Sequence, residues 1–578
     1  VFKKFGFMKR RSFFTVVAAI AAGLLILGLA GLSWIFGQSP LGLLKGAPQA
    51  NPQALIFIPK QAPAMGSLLV NPDRLEQLQL ALVQPDRRKA QRETFDNLRD
   101  GLLGSELSYQ RDVQPWLGNE VTLAVTSLDL DRDAANGAQP GYLMALVTQD
   151  AARSREFLQL FWQKRAIGQD LAFEQYQGTQ IIYGQASNPN PDAAPIALAS
   201  AVVGNRFVLF ANSPKVLRDA INNVQAVELN LGNNPDYQRA IAALPNNRVG
   251  LSYLNLPELA ALNGDRQVLE QSLDLNGDPK TYRQMAIGLG IDRQGLVANT
   301  AVIGGTAQTN QLGDPTALLR YFSGTTQVAL SGTNLASTWP TLTQGLQNYK
   351  LSDRLIKQSV DRWGQQWHLD FAQDLFPWVT GNYALGYLPA AVPTTEAKAQ
   401  PTAQATEWLF VVDRATNPNY TQGIERLNAI AKTQNITPAT IPVGNQTVTA
   451  WTELAPVQTD PKNRERLSAK TVGAWAEVDQ AIIFASSIET LKQAIQPTQG
   501  LTQNSGFKQT IAPLGDNNNG YLYLDWPSVK PTIQAQAPIV RLLDLVAQPL
   551  MQNLKSLGLS GYGGEGDMHR GRVFLRLR

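Results

Sequence analysis

The sequence predicts an α+β fold: an N-terminal transmembrane helix followed by two tandem copies of a module in which helices pack on an antiparallel sheet. Three observations carry that expectation. A charge-free apolar run opens the chain, three blocks of residues recur in the same order in its two halves, and hairpin-type pairs of apolar runs outnumber strand–helix–strand alternation.

The apolar run comes first. Residues 13–36 read FFTVVAAIAAGLLILGLAGLSWIF without a charge, and a membrane-crossing helix needs about 20 apolar residues. The apolar stretch of a secretory signal is shorter, about 7–15 residues. Length therefore favours a retained anchor, although Gly28-Leu29-Ala30 has the form of a cleavage site. Lys3, Lys4, Lys9, Arg10 and Arg11 precede the run, and only Lys45 follows closely. Positive charge stays on the cytoplasmic side. The expected localisation is thus a single-pass membrane protein with its bulk in the periplasm or thylakoid lumen. Residues 1–12 form the cytoplasmic basic segment, and 37–51, rich in Pro, Gly, Gln and Ala, a tether.

The repeat comes next. Asp112-Val-Gln-Pro-Trp116 recurs as Asp374-Leu-Phe-Pro-Trp378, each followed by a Gly-Asn pair and an apolar run. Residues 204–221 align with 478–495, agreeing at Phe210/Phe484, Ser213/Ser487 and Leu217/Leu491. Residues 234–259 align with 504–529, agreeing at Asn234/Asn504, Gly250/Gly520, Tyr253/Tyr523 and Pro257/Pro527. Chance agreement runs at about one position in fifteen, so copy one is placed at 52–306 and copy two at 314–578. Within a copy, runs 121–130, 142–148, 196–203 and 207–211 read as strands, and 151–165 and 214–222 as helices capped by Asp150 and Ser213. Helices are also expected at 87–107 and 353–375. Each copy closes with a hairpin, turning at 292–295 and at 568–571. Residues 186–195, 390–406 and 456–466 read as exposed insertions.

Composition narrows the chemistry. The 578 residues include no cysteine and only His368 and His569. Zinc–thiolate, iron–sulfur, disulfide and cysteine-nucleophile chemistry are excluded. The formal charge of +4 is concentrated at the N-terminus: without its five basic residues, 50 Lys and Arg become 45 against 46 Asp and Glu. That balance gives no basic face for nucleic acid. Asp129-Leu-Asp131-Arg-Asp133 opens like a calcium loop, but its sixth and twelfth places hold Ala134 and Pro140. The fragment 274–278 ends similarly, at Met285. The string Gly561-Tyr-Gly563-Gly-Glu-Gly566 precedes a strand rather than a helix, so sheet-edge geometry explains it better than a nucleotide does. No cofactor or metal is expected, and no catalytic residue.

Copy two holds Trp339, Trp363, Trp367, Trp378, Trp408, Trp451, Trp475 and Trp526, whereas copy one holds Trp116 and Trp162. Core packing accounts for such an excess, and so does an aromatic surface for a partner. Trp363, Trp367 and Trp378 are the candidate partner-binding residues.

On the anchor, the two copies, the absent cysteine and the Gln/Asn-rich, low-charge sequence, the chain resembles a cyanobacterial group of membrane-anchored proteins, domain-of-unknown-function family number 3352. The resemblance covers nearly all residues beyond 50 and implies an envelope or thylakoid protein, with no activity or binding residue to carry over. The expected function is a non-catalytic accessory or scaffold protein with a protein partner. The alternatives are a carrier or sensor of a lipid or pigment, and an uncharacterised hydrolase.

Overall fold

The computed structural model describes residues 51–71, 108–131, 139–165, 171–186, 196–262, 281–306, 316–346, 369–389, 406–444, 446–458, 465–497, 499–536 and 553–577, with isolated positions 314, 357, 360, 361, 364 and 551. Its strands are β1 Ala64–Leu68, β2 Leu117–Ser127, β3 Gly141–Thr148, β4 Leu171–Tyr176, β5 Thr179–Ala186, β6 Ile196–Val203, β7 Phe207–Ala211, β8 Gly250–Asn255, β9 Tyr282–Ile291 and β10 Gly295–Gly304. The second half supplies β11 Val328–Thr333, β12 Asn382–Pro389, β13 Thr406–Asp413, β14 Thr437–Val443, β15 Gln446–Gln458, β16 Glu465–Val478, β17 Ala481–Ala485, β18 Tyr521–Asp525, β19 Ser556–Glu565 and β20 Met568–Arg576. Helices are α1 Ala151–Arg165, α2 Pro214–Gln225, α3 Pro235–Ala242, α4 Leu256–Leu262, α5 Leu335–Leu346, α6 Tyr420–Thr433, α7 Ile488–Ile495, α8 Ser505–Ile511 and α9 Trp526–Gln536.

All pairings are antiparallel. In the first half they run β4-β5-β6-β7-β3-β2-β1-β8-β9-β10. The second half repeats that order as β14-β15-β16-β17-β13-β12-β11-β18-β19-β20. β10 then pairs with β20, which closes both halves into one 20-stranded sheet. The registers correspond. Leu251, Gly288 and Asn299 lie side by side across β8, β9 and β10 as Tyr521, Ser560 and Arg572 do across β18, β19 and β20. Asn299 and Arg572 are therefore equivalent, and they are also register partners. A pseudo-twofold axis passes between them, where Arg572 Nε donates to Asn299 Oδ1 at 2.8 Å.

The fold-class expectation is corrected here. The two expected modules are not separate bodies, because each ends on an unpaired strand whose backbone groups are satisfied by the other's. Among the described residues no helix is long and apolar enough to cross a membrane. That finding stands against the expected N-terminal transmembrane helix and the single-pass localisation drawn from it; the run 13–36 on which both were placed lies outside the described residues.

One face of the sheet is covered by short helical turns and by α2, α3, α7 and α8. Met65, Tyr253, Ala286 and Ala301, neighbours across β1, β8, β9 and β10, meet Tyr237, Ile241 and Leu244 there. In the second half α7 and α8 seat Leu491 and Phe507 against Ala329, Ile483 and Tyr523. On the other face α1 and α6 cover the outer strands. At its centre, Trp526 and Val529 of α9 join Leu289, Leu296 and Leu577 in one cluster drawn from both halves. Asp567, in the β19–β20 turn, bonds both Arg239 of α3 and Arg283 of β9.

Several local expectations hold. Asp150 accepts from the N–H groups of Ala152 and Arg153, and Ser213 from that of Lys215, so both cap the helices they precede. The D-x-x-P-W string is a structural device. Asp112 accepts from Ser108 N while Trp116 Nε1 donates to Asp112 O at 2.8 Å, and Asp374 and Trp378 repeat the arrangement. The last hairpin turns at Gly566 and Asp567 rather than at 568–571, so His569 lies inside β20. Gly566 supplies the positive φ of 61° that the turn requires. Nor is 456–466 wholly a loop, since β15 runs to Gln458 and β16 starts at Glu465. The expected helix 87–107 lies outside the described residues, as do most of 353–375, Asp133, residues 274–278 and His368.

Candidate functional site

The predicted aromatic site resolves into packing where it is described. Trp363 and Trp367 lie outside the described residues. Trp378 is 7 % exposed. Its ring rests on Phe410, Phe484 and the bare Cα of Gly423, so it presents no surface for a partner.

Comparing equivalent positions accounts for much of the tryptophan excess. The row Phe410, Phe484, Trp475, Thr449 across β13, β17, β16 and β15 corresponds to Met144, Phe210, Ser200, Ile182 across β3, β7, β6 and β5. In the first half the bulk comes from the helix. Phe157, Phe161 and Trp162 of α1 pack down, and Trp162 Nε1 donates to Ser200 Oγ at 2.7 Å. In the second half it comes from the sheet, with Trp451 stacked on Phe484 under a helix α6 that offers Gly423, Ile424 and Leu427. A close-packed interior fixes the total volume of the layer and leaves open which element supplies it.

The two outer edges of the sheet differ in chemistry. β4 is held from behind: Glu174 accepts two bonds of 3.1 Å from Arg218 of α2, and Tyr176 donates to Asn222 of α2 at 2.9 Å. It joins β5 through a two-residue turn, with Gln177 and Gly178 at φ 47° and 74°. That turn type makes Tyr176 and Thr179 a hydrogen-bonded pair, so alternate residues Ala172, Glu174 and Tyr176 turn their backbone groups toward β5. Leu171, Phe173 and Gln175 turn theirs outward, and among the described residues no further strand pairs with β4. The Phe173 side chain is 64 % exposed.

At the opposite end β14 pairs only with β15 among the described residues, from Thr437↔Thr452 to Val443↔Gln446. The same alternation turns Pro438, Thr440 and Pro442 outward. Two of those three lack an N–H, which is how natural sheets blunt an edge. β4 carries no such protection. The sequence reading passed over both strands, although the signals were present: Gln177-Gly178 between two alternating runs, and prolines two residues either side of Thr440.

Among the described residues no group of three His, Cys, Asp or Glu could hold a metal ion. Asp129 Oδ1 accepts from Gln139 N instead, closing its own loop. The glycines at 561–566 accommodate a register shift between β19 and β20 and the turn after it.

In comparisons with known proteins, the family described as Protein of unknown function (DUF3352) matches residues 17–577. No curated protein and no solved structure matches the chain.

Proposed function

The chain belongs to the DUF3352 family, and on that premise we propose that it is a non-catalytic accessory or scaffold protein whose protein partner adds a strand to the edge at β4. The observation that carries this reading is the contrast between the sheet's two ends. Equivalent positions on one scaffold share their geometry, so proline at two of three outward sites of β14 marks an edge kept unpaired. The outward N–H and C=O groups of Leu171, Phe173 and Gln175 form a ladder that an extended segment can complete. Phe173 offers that segment an apolar side-chain contact. The bond that Glu174 accepts from Arg218 and the one that Tyr176 donates to Asn222 fix the strand before anything binds, and such preorganisation lowers the entropic cost of binding.

Photocrosslinking in the native cell tests the proposal, with a photoreactive residue at 173 and, as control, at 440. A specific adduct is expected at 173 and not at 440. It should vanish in Gln175→Pro, which deletes an outward N–H without touching the β4–β5 bonds. Equal labelling at both edges, or an adduct that survives Gln175→Pro, would overturn the reading. An adduct containing a second copy of the chain would replace it with self-association.

A further inference from the structure

The pseudo-symmetry supplies an internal control for buried polar groups. Three positions before Leu251 on β8 stands Arg248; three before its equivalent Tyr521 stands Asn518. Both are buried, at 2 % and 1 % exposure. Asn518 is satisfied by its own loop, donating to Gly515 O at 2.7 Å and accepting from Gly520 N at 2.8 Å. Arg248 is not. Its Nη2 reaches Asn246 Oδ1 at 3.4 Å, while Nε and Nη1 have no partner.

A second group on the same face of the sheet is in the same condition. Tyr237 of α3 crosses Tyr253 edge-on at 5.1 Å, as Phe507 of α8 crosses Tyr523 at 5.2 Å. The second half therefore builds the same ring pair with one hydroxyl fewer, phenylalanine standing where the first half has Tyr237. In the first half the added hydroxyl is buried with no partner, and Tyr237 and Arg248 lie within each other's field. Arg248 packs its stem over Gly288, Cδ coming to 3.8 Å of where a Cβ would stand. The buried carboxylate on this face does not serve as counterion. Glu120 accepts from Gln53 N, Ala54 N and Thr122 Oγ1.

We propose that Arg248 and Tyr237 form a buried site for a small monovalent anion, a halide or a simple carboxylate, to which Arg248 Nε or Nη1 and Tyr237 Oη donate. A guanidinium stays charged when buried, and a lone buried charge needs an opposite one rather than a neutral acceptor alone. Water would fill the hydrogen bonds and leave the charge. The second half, carrying neither the charge nor the hydroxyl, needs no ligand at the equivalent place.

The test uses the full chain and two probes, sodium bromide and sodium formate, titrated at constant ionic strength against gluconate. The expected result is a saturable rise in Tm with one or both probes, and one bromide anomalous peak beside Arg248 in crystals grown from bromide. Response to bromide alone identifies a halide site, and response to formate a carboxylate site. Arg248→Asn and Tyr237→Phe install the second half's residues. The first should abolish the saturable rise, and the second should weaken apparent affinity several-fold. Density at Arg248 without anomalous signal together with no saturable rise in formate, or a rise that persists unchanged in Tyr237→Phe, would overturn the proposal. Should Arg248→Asn fail to fold, the bromide map of the unsubstituted protein and Tyr237→Phe decide the matter.

Discussion

At the scale of single residues, the exchange of bulk between helix and sheet makes Gly423 a demanding position. A Cβ there would stand 2.5 Å from two carbons of the Trp378 indole, which is held by its bond to Asp374 O. Alanine is worth about 1 kcal/mol more than glycine inside a helix, but overpacking a filled core costs about 1–3 kcal/mol, and both indole and helix are fixed. Gly423→Ala should therefore lower unfolding stability in urea despite its better helix propensity. Glu120 supplies a second prediction. Burial raises its carboxyl above the ordinary 4.5, outweighing the bonds from Gln53, Ala54 and Thr122 that favour the charged form. A raised folded-state value means the fold prefers the protonated acid. The stability this contributes is complete below 4.5 and is lost as pH rises through the raised value. Glu120→Gln should flatten that part of the stability–pH curve, and an unchanged slope in urea titrations from pH 4 to 7 would refute the assignment.

At the scale of elements, much was legible because local chemistry decides it. The caps at Asp150 and Ser213, the helix Ala151–Arg165 and the strands Ile196–Val203 and Phe207–Ala211 follow from residue spacing alone. Asn234 and Asn504 show how local signals acquire longer reach. Each caps a helix and donates through Nδ2 to a carbonyl far back in the chain, Lys60 O at 3.1 Å and Gly324 O at 2.9 Å. Replacing either by alanine should cost about 1–2 kcal/mol, the sum of a lost cap and a lost hydrogen bond. Near-equal losses in chemical denaturation are expected, since the two positions do the same work. Less legible was the last hairpin. Gly571 resembles a turn residue, but it pairs inside β20 with Thr300 and Gly561 on either side. The candidate edge at β4 was missed because an outward N–H carries no signature of its own. Only the pairing of Tyr176 with Thr179 fixes which alternate residues face away.

At the scale of the whole molecule, the β10–β20 seam decides how the halves behave. Phe574 of β20 is fully buried among Leu514, Tyr521 and, from the first half, Val297. Phe574→Ala should cost about 3–5 kcal/mol. Because the seam belongs to one sheet, calorimetry of the unsubstituted protein should show a single transition, and the variant should shift that transition as a whole. Two separated transitions in the unsubstituted protein would mean that the halves unfold independently. The sequence by itself determined the repeat with its recurring D-x-x-P-W string, the helix caps and the antiparallel class, because each depends on residues close together or on agreement between two stretches of one chain. Only the tertiary structure decided that the two sheets are one, that Trp378 is interior, and that among the described residues one outer edge is left unpaired while the other is blunted. Those outcomes depend on which backbone groups and side-chain volumes meet across long separations, and spacing along a chain does not record such meetings.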